Sequence, residues 1–219
     1  MFEQKKKMFT IGIDEAGRGP FLGRVYAGAV IWDISNIEYV GDDAPPITDS
    51  KKMTPLRRKK AREWILQHIH GWGIGYATAA EIDEINILEA TRLAMTRAID
   101  DLFARAPQYL PTIENEKIHL LIDGVRWEGK FDDKRFSVTS VVGGDGLHLP
   151  ISAASILAKE AHDDHIRELC THHPEWDARY GLLSNMGYGT KKHIDGIRQF
   201  GYCEEHRRTF KIKVLEEVI

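Results

Sequence analysis

Cysteine is nearly missing from this sequence of 219 residues, with only Cys170 and Cys203 present. Two thiols so placed suggest neither a disulfide framework nor a metal or redox pair, so reduced, structural cysteines in a cytoplasmic protein are expected. Also missing is any apolar run of the roughly 18 residues that a membrane span requires, which excludes a spanning helix. Positive charge is not in excess: 30 Lys and Arg stand against 33 Asp and Glu, a net charge of -3, so any binding of nucleic acid must be local. No internal repeat or low-complexity tract appears, which argues against a solenoid or a disordered chain. The basic start Lys5-Lys6-Lys7 imitates a leader, but Asp14 and Glu15 interrupt the apolar stretch after it and no small-residue cleavage site follows. Export is not expected.

What is present is organised around Ile11-Gly12-Ile13-Asp14-Glu15-Ala16-Gly17-Arg18-Gly19-Pro20. An apolar run leads to two adjacent acids and then to a sharp turn, so the stretch reads as a strand that delivers carboxylates to a bend. Gly17 and Gly19 allow a close approach to the main chain. A second strand, Gly23 to Trp32, should pair with the first as an antiparallel hairpin. Thr54-Pro55 supplies an N-cap and a favoured first residue for a helix to about His70. Gly71 to Ala79 alternates as a third strand.

From Asp83, the apolar residues Ile85, Leu88, Met95, Ile99 and Leu102 recur at helical spacing. Ile118 to Ile122 is a short buried strand ending at Asp123, and Arg135 to Val142 is another, followed by Gly143-Gly144-Asp145. Pro150 to Leu169 reads as a helix, Tyr180 to Thr190 as a loop, Lys191 to Phe200 as a helix, and Gly201 to Ile219 as a basic turn and a terminal helix. Strands alternating with helices give an α/β domain with helices on both faces of a mixed sheet. In such sheets ligands gather outside strand ends, so Asp14, Asp123 and Asp145 can converge although distant in sequence.

Six blocks carry a resemblance. They are Asp14-Glu15-Ala16-Gly17-Arg18-Gly19-Pro20, Asp49-Ser50-Lys51-Lys52, Glu81 to Leu88, Ile122-Asp123-Gly124, Ser152 to Lys159, and Gly187-Tyr188-Gly189-Thr190. Together, in this order and spanning nearly the whole chain, they resemble bacterial ribonuclease HII. The resemblance implies a ribonuclease H-like fold: a mixed five-stranded sheet with helices on both faces, in one domain over 1–219, with 176–219 as a C-terminal helical segment. It further implies metal-dependent cleavage of the RNA strand of RNA/DNA hybrids and incision at ribonucleotides embedded in duplex DNA, leaving 5′-phosphate and 3′-hydroxyl ends. A monomer without membrane association is expected.

Carried over by position, the four acidic ligands are Asp14, Glu15, Asp123 and Asp145. Physical chemistry agrees, since clustered carboxylates repel unless cations or protons are bound, and an all-oxygen set suits Mg²⁺ or Mn²⁺ rather than Zn²⁺. Two such ions about 4 Å apart can orient an attacking water and stabilise a leaving oxygen, so no covalent nucleophile is needed.

The resemblance assigns Gly17, Arg18 and Gly19 to reading the ribose 2′-OH, with Tyr188 as their stacking and hydrogen-bonding partner. Ser50, Lys51, Lys52, Lys191, Lys192, His193, Arg207 and Arg208 are candidate phosphate contacts, against the alternative of a solvated basic face. His68, His70, His119, His172 and His173 read as surface or satisfied core residues, while His206 belongs to a C-terminal His-Arg-Arg block of the family. The chain departs from the family at Val125, Gly143, Leu147, His148, His162 and Asn185-Met186, mostly by losing positive charge. Two other readings compete: a binding protein of the same fold with little turnover, which intact acids disfavour, and a junction resolvase, which has no need of Gly-Arg-Gly and Tyr188.

Overall fold

A computed structural model describes residues 10–32, 44–69, 71–109, 118–131 and 136–211. Strand β1 (Thr10–Ala16) pairs antiparallel with β2 (Val25–Ile31), and β2 antiparallel with β3 (Gly71–Ala77). On its other side β1 runs parallel to β4 (Ile118–Asp123), and β4 to β5 (Phe136–Val141). The mixed sheet has the order β3-β2-β1-β4-β5. Strand β1 continues two residues past Asp14, so the first acid sits within the strand and not at its end.

The two-residue period of the strands divides the core. Ile11, Ile13, Val25, Ala27, Ala29 and Ile31 cluster with Ala94, Ala98 and Leu102 of α2 (Ala79–Arg105). Val30 and Trp32 instead cluster with Ala61 and Ile65 of α1 (Pro55–His68) and with Ala153, Ala154 and Leu157 of α3 (Leu149–His172). Helices therefore cover both faces, as expected. Glycine lets α3 lie directly on the sheet: a Cβ on Gly28 would sit 2.4 Å from the Ala154 carbonyl oxygen.

Thr54 caps α1 as its sequence predicts, accepting from the Arg57 N–H at 3.4 Å, and the helix ends at His68. Helix α2 departs from expectation. It begins earlier, with a capping box between Thr78 and Glu81, and breaks at Asn86, whose φ of 68° is not helical. The Asn86 Oδ1 accepts from the N–H groups of Leu88 (2.9 Å) and Glu89 (3.2 Å), so this residue ends one short helix and N-caps a longer one. The apolar period continues through the break, which is why periodicity alone hides it.

Beyond α3 come α4 (Pro174–Tyr180), α5 (Leu182–Asn185) and α6 (Lys191–Phe200). The stretch read as a loop from Tyr180 thus contains α5, whereas α6 has the predicted bounds. Residues 201–211 form turns with no helix. The rest of the expected terminal helix, residues 212–219, lies outside the described residues, as does His70.

Candidate active site

Parallel pairing places Ile13 opposite Ile122, so the next residues, Asp14 and Asp123, leave neighbouring strands side by side. Asp145 reaches them from a 3-10 turn, Gly144–Gly146, that follows β5. One hydrogen bond ties this turn to β4: the Gly144 N–H donates to Asp123 Oδ1 at 2.7 Å. Asp14 Oδ1 accepts from the Glu15 N–H at 2.7 Å, and Glu15 Oε1 accepts from Arg18 Nη1 at 3.1 Å. Among the described residues the second oxygens, Asp14 Oδ2 and Glu15 Oε2, are buried without a hydrogen bond of ordinary geometry, the Ser155 hydroxyl lying near enough to Asp14 to favour its charged form.

Electrostatics register this crowding. Burial, followed by the charges of Glu15 and Asp123, pushes Asp14 well above the usual carboxylate range. Burial raises Glu15 despite the opposing pull of Arg18, and burial with the charges of Asp49 and Asp123 raises Asp145. The four acids thus form one interacting set. Among the described residues no three carboxylate, imidazole or thiol side chains are already closed into a metal-holding group. Orphaned buried carboxylate oxygens and an all-oxygen donor set nevertheless fit a hard divalent cation that draws the acids together.

Lys51 sits over this set. Burial would lower its ammonium, but Asp14, Asp145, Asp49 and Asp123 outweigh that and raise it. Its segment is fixed from below, by residues that the sequence reading passed over. Arg58 is buried and donates to Glu160 (2.6 Å), Asp163 (3.3 Å) and the carbonyls of Ser50 (3.2 Å) and Met53 (3.4 Å), tying α1, α3 and the Ser50–Lys52 turn together. Asp49 caps that turn through the Lys51 N–H at 2.9 Å. Its position before Ser-Lys-Lys was a legible capping signal. Ser50 is buried and bonded to the Ser155 hydroxyl at 2.8 Å, facing α3 and not solvent as a direct phosphate contact would.

The Gly-Arg-Gly turn and Tyr188 do come together. A Cβ on Gly19 would lie 3.2 Å from Tyr188 Cε1, and Gly17 has a φ of +86° that other residues rarely adopt. The Tyr188 ring remains partly exposed, and Lys51 acts on its hydroxyl as well as on the acids. Arg18, Lys51, Lys52, Lys192 and Arg208 are exposed. Lys191 is exposed but paired with Asp195.

Two further expected phosphate contacts, besides Ser50, are contradicted by burial. Arg207 is 1% exposed, and its guanidinium donates to the carbonyls of Gly17 (2.6 Å), Arg18 (3.1 Å), Pro20 (2.8 Å) and Gly23 (2.8 Å). His193 is fully buried, between Tyr188 and His206. Nothing in a basic run reveals which cation turns inward, since that depends on carbonyls more than 180 residues away.

The family departures also have local accounts. His162 lies wholly buried beneath Gly17, and burial lowers its imidazole against the opposing pull of Asp163, so it sits as a neutral ring whose Nδ1 donates to Asp163 Oδ1 at 3.0 Å and whose Nε2 has no partner among the described residues. Asn185 is buried and structural: its side chain donates to the Tyr180 carbonyl (2.8 Å) and accepts from the Gly187 N–H (2.9 Å), shaping the turn that carries Tyr188. Val125, Val142 and Leu147 leave apolar surface near the acids. As expected, His68, His119, His172 and His173 are ordinary: His68 stacks on Trp64, His119 bonds Thr139, His172 bonds the Glu168 carbonyl and His173 stacks on Trp176.

The sheet order, with the acids at its centre, defines a protein of the ribonuclease H-like fold. A family profile described as Ribonuclease HII matches residues 11–213. A Ribonuclease HII of Polynucleobacter necessarius subsp. necessarius is 40% identical over 213 residues, covering 96% of this chain and 98% of that one. One from Phocaeicola vulgatus is 43% identical over 207 residues, covering 94% and 91%. The crystal structure of ribonuclease H2 from Pyrococcus horikoshii OT3 superposes with a TM-score of 0.67 at 25% identity, over 93% of this chain and 94% of that one. Bst-RNase HIII in complex with Mn²⁺ shares the fold at a TM-score of 0.63 and 19% identity, over 90% and 64%. The chain belongs to the ribonuclease HII family. It is a metal-dependent endonuclease acting on RNA/DNA hybrids.

Proposed function

We propose that Asp14, Glu15, Asp123 and Asp145 hold Mg²⁺ or Mn²⁺, and that the enzyme incises at single ribonucleotides embedded in duplex DNA as well as in hybrids, leaving 5′-phosphate and 3′-hydroxyl ends. Bound divalent cations supply water activation and stabilisation of the leaving oxygen. The protein's residues do the rest. Arg18 and the Gly144 N–H orient Glu15 and Asp123, and Lys51 offsets the acids' charge where a scissile phosphate must approach. Gly17, Arg18, Gly19 and Tyr188 read the 2′-OH, the group that distinguishes RNA from DNA. Lys51, Lys52 and Lys192 contact phosphates, while Ser50 acts by holding the turn that carries Lys51 and Lys52. The chain works as one domain, a cytoplasmic monomer without membrane association; no described helix is long and apolar enough to cross a membrane.

The observation that carries this reading is the close approach of the Tyr188 ring to the Gly-Arg-Gly turn, where a Cβ on Gly19 would lie 3.2 Å from Tyr188 Cε1, on the same chain segment that delivers Asp14 and Glu15. The test is incubation with a duplex carrying one ribonucleotide, in Mg²⁺ or Mn²⁺, beside an all-DNA control. Cutting confined to the ribonucleotide is expected. Cutting of both duplexes, or of neither, would defeat the reading.

A further inference from the structure

The two halves of the ribose-reading surface, the Gly17–Pro20 turn and the Tyr188 loop, come from opposite ends of the chain, and each is held by one of two adjacent residues. Arg207 holds the first. Its donors engage the carbonyls of Gly17, Arg18, Pro20 and Gly23, and its own N–H donates to the Phe21 carbonyl at 2.8 Å. No carboxylate is bonded to this buried cation among the described residues; carbonyl dipoles of the turn replace water around it.

His206 holds the second half through His193. The Cys203 N–H donates to His206 Nδ1 at 2.9 Å, which places the His206 proton on Nε2. That proton is donated to His193 Nε2 at 3.1 Å, which in turn places the His193 proton on Nδ1, where it is donated to the Tyr188 carbonyl at 3.0 Å. The chain of bonds has one direction and needs both rings neutral. Burial keeps them so, lowering His193 and taking His206 down to about 3. Backbone bonds complete the frame: the Gly23 N–H donates to the Glu205 carbonyl and the Phe21 N–H to the Gly187 carbonyl, each at 2.8 Å.

We propose that His206 and Arg207, acting with His193, are positioning residues that set the register between the Gly17–Pro20 turn and Tyr188, and thereby determine discrimination for the 2′-OH. The inference rests on the proposal that this turn and Tyr188 read the ribose. None of the three touches substrate: all are buried, so their effect passes through the main chain they hold. Sites built to hydrogen-bond one hydroxyl discriminate through geometry, and a displacement of about 1 Å can cost about a hundredfold in rate.

The test uses full-length protein carrying His193→Phe, which keeps a ring but loses the donor to Tyr188; His193→Asn, which retains a donor in the Nδ1 position; and Arg207→Lys. Single-turnover cleavage at one embedded ribonucleotide is compared with equilibrium binding of the same duplex. His193→Phe and Arg207→Lys should lose at least tenfold in cleavage with less than threefold change in binding, and His193→Asn should recover most of the rate. If His193→Phe does not fold, Arg207→Lys, which keeps the charge, decides alone. Cleavage near the wild-type rate, or equal losses in binding and cleavage, would overturn the inference. Tyr188→Ala in parallel separates the two proposals: its selective loss alongside normal positioning variants defeats only this one, whereas no selective loss in Tyr188→Ala defeats the ribose-reading surface itself.

Discussion

The acid cluster and the turn beside it are both buried and charged, yet they are completed in opposite ways. At the acids, two buried carboxylate oxygens have no partner among the described residues and three of the four groups are pushed upward by burial and mutual repulsion. At the turn, the buried guanidinium of Arg207 and the imidazoles of His193 and His206 are bonded to main chain or to each other, while the neutral His162 ring beneath Gly17 keeps one nitrogen, Nε2, without a partner among the described residues. An incomplete polar cluster awaits something from outside the protein; a complete one fixes shape. The first suits cation binding and the second suits recognition by geometry.

The largest effect should come from breaking the incomplete side. Asp14→Asn or Asp123→Asn should cut the hybrid at less than about one-hundredth of the wild-type rate, since losing even an outer-shell partner of a metal costs about 10- to 100-fold. Far-UV circular dichroism should show an unchanged fold. Breaking the complete side should instead cost stability. Arg207→Ala removes the side-chain donor from four carbonyls, three of them in buried hydrogen bonds, and at about 1–3 kcal/mol for each unsatisfied buried group the loss should be about 3 kcal/mol or more, read by urea unfolding.

The two regions should also respond to pH with opposite sign. His206 titrates near 3 when folded against an ordinary 6.5, and His165, buried near Arg24, titrates near 4. Below about 6.5 the unfolded chain takes up protons that the folded chain refuses, so this contribution to stability is lost as pH falls towards 3. His206→Gln should flatten that decline in unfolding measured across the range. The raised acids act the other way: their charge penalty is full above their raised values and is relieved as pH falls towards the ordinary carboxylate range. Smallest is the effect of the exposed cations. Lys192→Ala should weaken hybrid binding only a few-fold and make its salt dependence shallower by about one counterion, measured by affinity against salt.

Much of the fold was legible because strand alternation and caps are local signals. The hairpin strands, the cap at Thr54 and the bounds of α6 follow from neighbours in sequence. Asn86 shows the limit, for its helix break depends on a side chain folding back onto the backbone within an unbroken apolar stripe. Of the acids read as strand ends only Asp123 is one, since β1 runs two residues past Asp14 and Asp145 lies in a 3-10 turn after β5, and the parallel register of β1 with β4 is what brings Asp14 and Asp123 together. The roles of Ser50, His193 and Arg207 were not, because a polar residue in a basic run carries no mark of the distant backbone that will bury it.

The contrast itself is tested most directly by thermal unfolding of the chelated wild type and of Asp14→Asn, before and after adding Mn²⁺. The substitution keeps an oxygen for the Glu15 N–H but removes one of the repelling charges. In chelator the variant should melt above the wild type, and Mn²⁺ should raise the wild type while leaving the variant nearly unmoved. Equal melting in chelator together with equal gains from Mn²⁺ would contradict the account, for it would mean that the acids are neither strained by their shared charge nor completed by a cation.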